Sequence, residues 1–173
     1  MTSSELASFS LRPLGDADLD RVVELNNAAT PAVPQSTRED IAELVALSSL
    51  ALAVVDDQAT ERPIGFLLAM EPGQDYASEN YVWFTRRGVA GLYVDRIVLD
   101  EAHRSRGLGP RLYDAVFDAA RRAGLSEVQC EVNIEPPNPR SLAFHSRLGF
   151  AEVGQQATKG GSVVVALLAA SVA

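Results

Sequence analysis

Leu92-Tyr93-Val94-Asp95-Arg96-Ile97-Val98-Leu99-Asp100-Glu101-Ala102-His103-Arg104-Ser105-Arg106-Gly107-Leu108-Gly109-Pro110 is the stretch on which the fold turns. Its first half is rich in β-branched and aromatic residues and predicts a strand. Its second half is polar, carries two glycines and ends on a proline suited to the first turn of a helix. Leu112, Ala115, Val116, Ala119 and Ala120 follow at helical spacing, and Gly124 ends the run. A strand therefore runs through a glycine turn into a helix whose first amides lack an intrahelical partner and carry the positive end of the dipole. Such a turn holds an anion, because glycines let the main chain approach it and successive N–H groups form a nest. Arg104, Arg106 and Arg111 add positive charge there. The plainer alternative is a helix start that needs small residues for packing. Neither the nucleoside-triphosphate loop nor the dinucleotide glycine pattern is present, since Pro-Arg-Leu follows Gly109.

Outward from this core, mixed α and β elements alternate. Phe9-Ser10-Leu11-Arg12 reads as extended. A helix follows Asp16-Ala17-Asp18 and stops before Pro31 and Pro34. Ser36-Thr37-Arg38-Glu39 fits a capping box for a second helix through Ile41, Leu44 and Val45. Leu50 to Val55 and Ile64 to Met70 form a predicted hairpin. The segment from Glu71 to Arg87 reads as a long irregular loop with Tyr76, Tyr81, Trp83 and Phe84, either functional or folded over the core. A strand over Val128 to Ile134, a helix over Ser141 to Leu148 and strands over Ala151 to Gln155 and Val163 to Ala169 complete the chain. The expected architecture is a mixed α/β fold with one central sheet of about six or seven strands and helices on both faces.

Composition narrows the function. The 173 residues, with 47% hydrophobic and 22% charged, suit one domain over residues 1–173. Fifteen Lys plus Arg against 23 Asp plus Glu give a net charge of −8, which argues against a nucleic-acid partner. A single cysteine, Cys130, and two histidines, His103 and His145, make an internal disulfide impossible and a metal centre unexpected. The start, Met1-Thr2-Ser3-Ser4-Glu5, lacks the pattern of a signal peptide, and the apolar run Val163 to Ala170 is too short to span a bilayer. A cytoplasmic protein without a membrane partner is expected, with a homodimer left open.

Two motifs carry a family resemblance. Arg104-x-x-Gly107-x-Gly109 after the strand Tyr93 to Leu99 is similar to the pyrophosphate signature of the GNAT N-acetyltransferase superfamily. Downstream, Asn138-Pro-Arg-Ser-Leu-Ala143-Phe-His145-Ser-Arg-Leu-Gly149-Phe150 resembles its second motif. The close likeness covers Tyr93 to Phe150, and Leu25-Asn26-Asn27 with Thr158-Lys159-Gly160-Gly161 resembles a bacterial subgroup of predicted acetyltransferases.

The resemblance implies an enzyme that takes acetyl-coenzyme A as acyl donor, needs no metal, and passes the acetyl group to a primary amine of a small molecule or protein by direct attack. It implies a cofactor cleft between two parallel strands that splay apart, here Tyr93 to Leu99 and Val128 to Ile134. Backbone groups of Ile97, Val98 and Leu99 would hold the pantetheine arm, and Arg104, Ser105, Arg106, Gly107, Leu108, Gly109 and Pro110 would surround the pyrophosphate. Asn138 would reach the arm, although it is equally a helix N-cap. A backbone N–H near Leu99 would stabilise the oxyanion. Glu131 stands where relatives place a general base. Because the stretch from Glu131 to Asn138 is longer than the family pattern, Glu135 and Asp95 stand beside it as competitors. His145 occupies the place of a tyrosine that protonates the leaving thiolate, and is either that acid or a packed residue with its ring bonded to backbone. His103 reads as solvated or phosphate-adjacent, Cys130 as core. Asn26, Asn27, Asp95 and the 71–87 loop would line the acceptor side, where Arg86 and Arg87 would suit a carboxylate and the excess acid a cation. The alternative function is a non-catalytic acyl-coenzyme A sensor, with a nucleotide-binding module third.

Overall fold

The structure is a computed structural model and describes residues 8–172. Met1 to Glu5, read above for a signal peptide, lie outside the described residues. Strands β1 (Phe9–Pro13), β2 (Leu50–Asp56), β3 (Ala59–Met70), β4 (Gly91–Leu99), β5 (Glu127–Glu135), β6 (Ala151–Thr158) and β7 (Val163–Ser171) build one mixed sheet in the order β1-β2-β3-β4-β5-β7-β6. Helices α1 (Leu19–Ala28), α2 (Arg38–Leu47), α3 (Glu79–Arg87), α4 (Leu108–Arg122) and α5 (Pro139–Arg147) cover it. The pair β4–β5 is parallel and every other pairing antiparallel.

Side-chain alternation divides the sheet's residues between two cores. Leu67, Leu92, Val94, Cys130 and Val132 pack with Leu112, Tyr113, Val116 and Ala120 of α4. Phe66, Leu68, Tyr93, Val98 and Leu167 face Leu19, Val22 and Leu25 of α1, Ile41 and Leu44 of α2, and Tyr81 and Phe84 of α3. Glu131 and Asn133 alternate with Cys130 and Val132 along β5, so they point to the α1–α2–α3 side.

Three local expectations change. The predicted irregular segment contains α3, which Ser78 starts by accepting from the Tyr81 N–H at 3.5 Å and Gly88 ends at φ 76°. Its apolar face is aromatic, and buried Tyr81 and Phe84 sit three apart on it. The capping box of α2 falls one residue later, between Thr37 and Asp40, whose side chains each bond the other's N–H. β6 extends past Gln155 to Thr158 because its ladder with β7 continues to Val163.

The feature that positions the site is a failure of pairing. β4 and β5 are in register only at Gly91↔Glu127, Leu92↔Val128 and Tyr93↔Gln129. Beyond that point β4 stays on β3 as far as Leu99, while β5 stays on β7 as far as Glu135. A bulge marks the start of the parting: Val94 and Arg96 have β3 partners in Ala69 and Leu68, and Asp95 between them has none. Residues 94–99 and 130–135 thus flank a V-shaped gap.

Leu67, fully buried mid-strand in β3, pairs with Ile97 and anchors the side of the sheet on which β4 stays beyond the parting. Leu67→Ala is expected to lower stability by about 3 kcal/mol, from lost transfer energy plus a cavity, in a urea titration followed by circular dichroism.

Candidate active site

The gap ends, at its outer rim, on the glycine turn. Asp100 opens the turn by accepting from Ala102 N–H at 3.0 Å, and Arg21 of α1 bonds its other oxygen at 2.8 Å. Ser105 and Gly107 both take positive φ, 63° and 74°, and Gly107 is the N-cap of α4. A Cβ at Gly107 would meet nothing within 4 Å, so glycine serves the conformation there and leaves the space above the amides open. Gly109 serves packing: its Cβ would lie 2.8 Å from Phe144 Cζ of α5. The packing reading of the turn therefore holds at Gly109, while Gly107 is needed for its φ. Arg104, Arg106 and Pro110 are exposed, Leu108 is buried beneath, and Arg140 of α5 reaches Ser105 Oγ at 3.3 Å. Arg140 was missed in the sequence because its proximity depends on how α5 packs beside α4. Asn138 caps α5 through Oδ1 to Ser141 N–H at 3.3 Å. His103 is half-buried, edge-on to Phe9 at 6.0 Å between ring centroids, rather than solvated. Ile97, Val98 and Leu99 stand on the β4 side of the gap, with β3 on their other side.

Acidic groups gather on the α1–α2–α3 side where the strands part. Tyr93 donates to Glu131 Oε2 at 2.7 Å. Asn80 of α3 also bonds Glu131, and Gln156 of β6 holds Asn80 Oδ1 at 3.0 Å. Burial, then the neighbouring Asp95 charge, push the Glu131 carboxyl up to about 8, against the pull of the Tyr93 and Asn80 bonds. Asp95 accepts from Tyr76 at 2.8 Å and from Arg96 Nε at 3.0 Å. Its side chain is 4% exposed although the residue as a whole is partly exposed, so solvent meets the bulge's main chain. Burial raises the Asp95 carboxyl as well, opposed by Arg96. Glu135 lies exposed at the far end of β5. Glu131 and Asp95 both sit hydrogen-bonded at the point of parting, Asp95 tied to the Arg96 guanidinium and Glu131 to the neutral Tyr93 and Asn80 side chains.

Arg96 is 7% exposed, and its Nη1 also bonds Asn26 Oδ1 at 2.8 Å, Pro34 O at 3.2 Å and Ser36 Oγ at 3.3 Å. Asn27 brackets Ser36 through its N–H and carbonyl. Asn26 is fully buried and Asn27 is engaged in this staple, so the pair fix the α1–α2 connection instead of lining an acceptor pocket. Arg87 pairs with Glu127 at the opposite end of β5 and is not available to a substrate carboxylate in the gap.

The other face is aromatic. His145 is buried, with Nδ1 2.8 Å from the Ser141 carbonyl and Nε2 2.7 Å from Tyr113 Oη. A carbonyl can only accept, so Nδ1 carries the proton and Nε2 accepts from Tyr113. Burial lowers the imidazole pKa. Tyr113 also bonds Cys130, the first β5 residue beyond the last β4 pairing. A cavity of about 220 Å³ lined by Tyr81, Phe84, Gly91 and Gln129 lies at the paired end of β4, away from the gap. Among the described residues no group of His, Cys, Asp or Glu could hold a metal ion, and no helix is long and apolar enough to cross a membrane.

Residues 19–150 match the model of the acetyltransferase (GNAT) family. The chain is 29% identical over 150 residues to a glucosamine 6-phosphate N-acetyltransferase of Trypanosoma brucei brucei, covering 85% of this chain and 92% of that one. It is 29% identical over 159 residues to an L-methionine sulfoximine/L-methionine sulfone acetyltransferase of Pseudomonas aeruginosa, covering 88% and 86%. Its fold superposes on the crystal structure of Arabidopsis thaliana NAA60 in complex with acetyl-CoA with a TM-score of 0.73 at 17% identity, covering 95% and 99%.

The raised Glu131 carboxyl has a consequence for stability. Its folded pKa of about 8 exceeds the ordinary 4.5, so the native state holds a proton that the unfolded state has released between those values. Its stabilising contribution is complete below about 4.5 and is lost as pH rises through about 8. Glu131→Gln removes that loss, and its melting temperature relative to the parent is expected to climb between pH 5 and pH 9 in paired thermal scans.

Proposed function

This chain belongs to the acetyltransferase (GNAT) family, and from that premise we propose that it moves an acetyl group from acetyl-coenzyme A to a primary amine by direct attack within a ternary complex. The observation that carries the reading is the parting of β4 and β5 after Tyr93 and Gln129. Two strand edges that no longer bond each other leave main-chain donors and acceptors facing a gap, and an extended amide chain satisfies them as a strand would. The anion nest of Ser105 and Gly107 at the rim, with Arg104, Arg106 and Arg140 nearby, fits a pyrophosphate. Asn138 keeps its Nδ2 for the arm while Oδ1 caps α5. The donor supplies an activated thioester; the chain's residues orient it and manage the protons.

Glu131 is the base in this reading. A carboxylate that titrates near 8 is matched to a nucleophile whose ammonium form loses its proton near 10. The nitrogen lone pair forms the C–N bond as the C–S bond breaks. Overall one proton leaves the nitrogen and one ends on the sulfur, giving amide and free thiol. The exposed main chain of the Asp95 bulge offers an N–H for the charge on the carbonyl oxygen, four residues before the Leu99 position read from the sequence. His145, with both nitrogens engaged and its ring neutral, takes a holding role here by fixing Tyr113 beneath Cys130. The reading keeps the chain cytoplasmic and free of nucleic-acid partners.

Thermal unfolding with acetyl-coenzyme A, coenzyme A and ATP tests the donor. Saturation at 100 times the dissociation constant adds about 2.7 kcal/mol, and a shift that ATP does not match is expected. Gly107→Asp is expected to erase it by placing a negative side chain over the nest; an undiminished shift would overturn the phosphate assignment. In thiol-release assays kcat/KM is expected to rise with pH through about 8, and Glu131→Gln to flatten that limb and slow turnover by roughly 10²–10⁴-fold. His145→Ala is expected to lower stability by about 1–3 kcal/mol, because the buried Tyr113 O–H loses the acceptor that His145 Nε2 provides, with turnover within tenfold. A hundredfold slower but equally stable variant would give His145 the acid role.

A further inference from the structure

The wall of the gap on the α1–α2–α3 side has committed its donors to the protein itself. Tyr93 donates its O–H to Glu131, and Tyr76 its own to Asp95. A phenol that has donated offers a further partner only lone pairs. Asn133 Nδ2 donates to Pro31 O at 3.1 Å, and Asn80 turns its amide nitrogen to Glu131 because Gln156 holds its oxygen. Arg96 is the cation within this cluster, and its Nε and Nη1 are taken by Asp95, Asn26, Pro34 and Ser36 while 7% of the residue is exposed. Once Glu131 is deprotonated to act as base, what faces a ligand is therefore acceptor-rich: its half-buried carboxylate and the oxygen of half-buried Tyr76, with the Asp95 charge behind.

Charge points the same way. With Glu131 in the deprotonated form that acts as base, two carboxylates stand against one guanidinium. On the β6–β7 side Glu79, which accepts from the Lys159 N–H at 3.2 Å, and the Lys159 ammonium add one charge of each sign. A second anion close to the reacting nitrogen would meet acceptors and a like charge, which is unfavourable on both counts. An ammonium or amine brings two or three N–H donors to the same atoms.

Resting on the transferase reading above, we propose that the acceptor is a small aliphatic amine with no carboxylate or phosphate near its nitrogen, held through its N–H groups by Glu131 and the Tyr76 oxygen. This separates the chain from the two relatives, which by their names act on a sugar phosphate and on amino-acid derivatives. A diamine suits the site best, since its second positive charge is favoured by the same net negative field.

Matched acceptor pairs test this on the wild-type protein with acetyl-coenzyme A and a thiol-release readout. The pairs are 1,5-diaminopentane with lysine, 2-phenylethylamine with phenylalanine, and glucosamine with glucosamine 6-phosphate. In each pair kcat/KM is expected to favour the anion-free member by roughly tenfold or more, equivalent to about 1.4 kcal/mol. Equal rates, or preference for the anionic members, would overturn the proposal while the acetyl-coenzyme A melting shift leaves the transferase reading standing. No shift with acetyl-coenzyme A would overturn both together. Asp95→Asn is expected to narrow the discrimination several-fold with the cofactor shift unchanged. If that variant unfolds, Tyr76→Phe provides the second check: KM for the anion-free amine rises several-fold while KM for acetyl-coenzyme A holds. An unchanged amine KM in Tyr76→Phe counts against the proposal.

Discussion

A strand edge cannot be left unpaired in a folded interior, and the site depends on this constraint. β4 and β5 exchange ladder bonds over three residue pairs and then separate, each carried away by its antiparallel neighbour. The bulge at Asp95 provides the bend, and the bend is locked from one side by the Tyr76 and Arg96 bonds to that residue. Whatever fills the gap inherits two rows of main-chain groups, and whatever sits at its apex lies between two cores of opposite character.

Those cores divide the chemistry. On the α4–α5 side the apex is closed by a neutral chain from the Ser141 carbonyl through His145 and Tyr113 to Cys130, where burial raises both the phenol and the thiol. On the opposite side lies a charged cluster in which burial raises both Glu131 and Asp95, and the Asp95 charge raises Glu131 further, while two tyrosines steady them. A carboxyl that titrates near 8 is thus the product of a poorly solvated place with a second carboxylate beside it, tempered by hydrogen bonds that keep the charged form accessible.

Arg96 ties the second of these cores to the rest of the fold. Its guanidinium neutralises Asp95 and also gathers Asn26, Pro34 and Ser36, so the α1–α2 connection is fastened to the strand that bears the bulge. Removing one member of such a buried pair leaves the other charge uncompensated, which is far more disruptive than the pair itself is stabilising. The same engagement commits the Arg96 guanidinium to the protein itself.

Much of this was legible in one dimension because its causes are local. A strand of β-branched residues, the glycine turn at 104–109, the proline in the first turn of α4 and the cap at Asn138 follow from backbone sterics and unpaired helix amides, which act over a few residues. The two motifs fixed the order of elements around the gap, and with it the family. Folding decided the rest, since the partners are distant in sequence: Glu131 and Tyr93 are 38 residues apart, Arg96 and Asn26 70, His145 and Tyr113 32. The helix inside the 71–87 segment escaped notice because its apolar face is a pair of aromatics that find their purpose against Tyr93. Gly107 and Gly109 read alike in the chain; only the tertiary structure separated a glycine needed for its φ from one needed to make room for Phe144. The sequence by itself determined which residue types could bind an anion and move a proton. Packing decided which of them meet, because charge, burial and hydrogen bonding at a site are set by neighbours that the chain brings from far away.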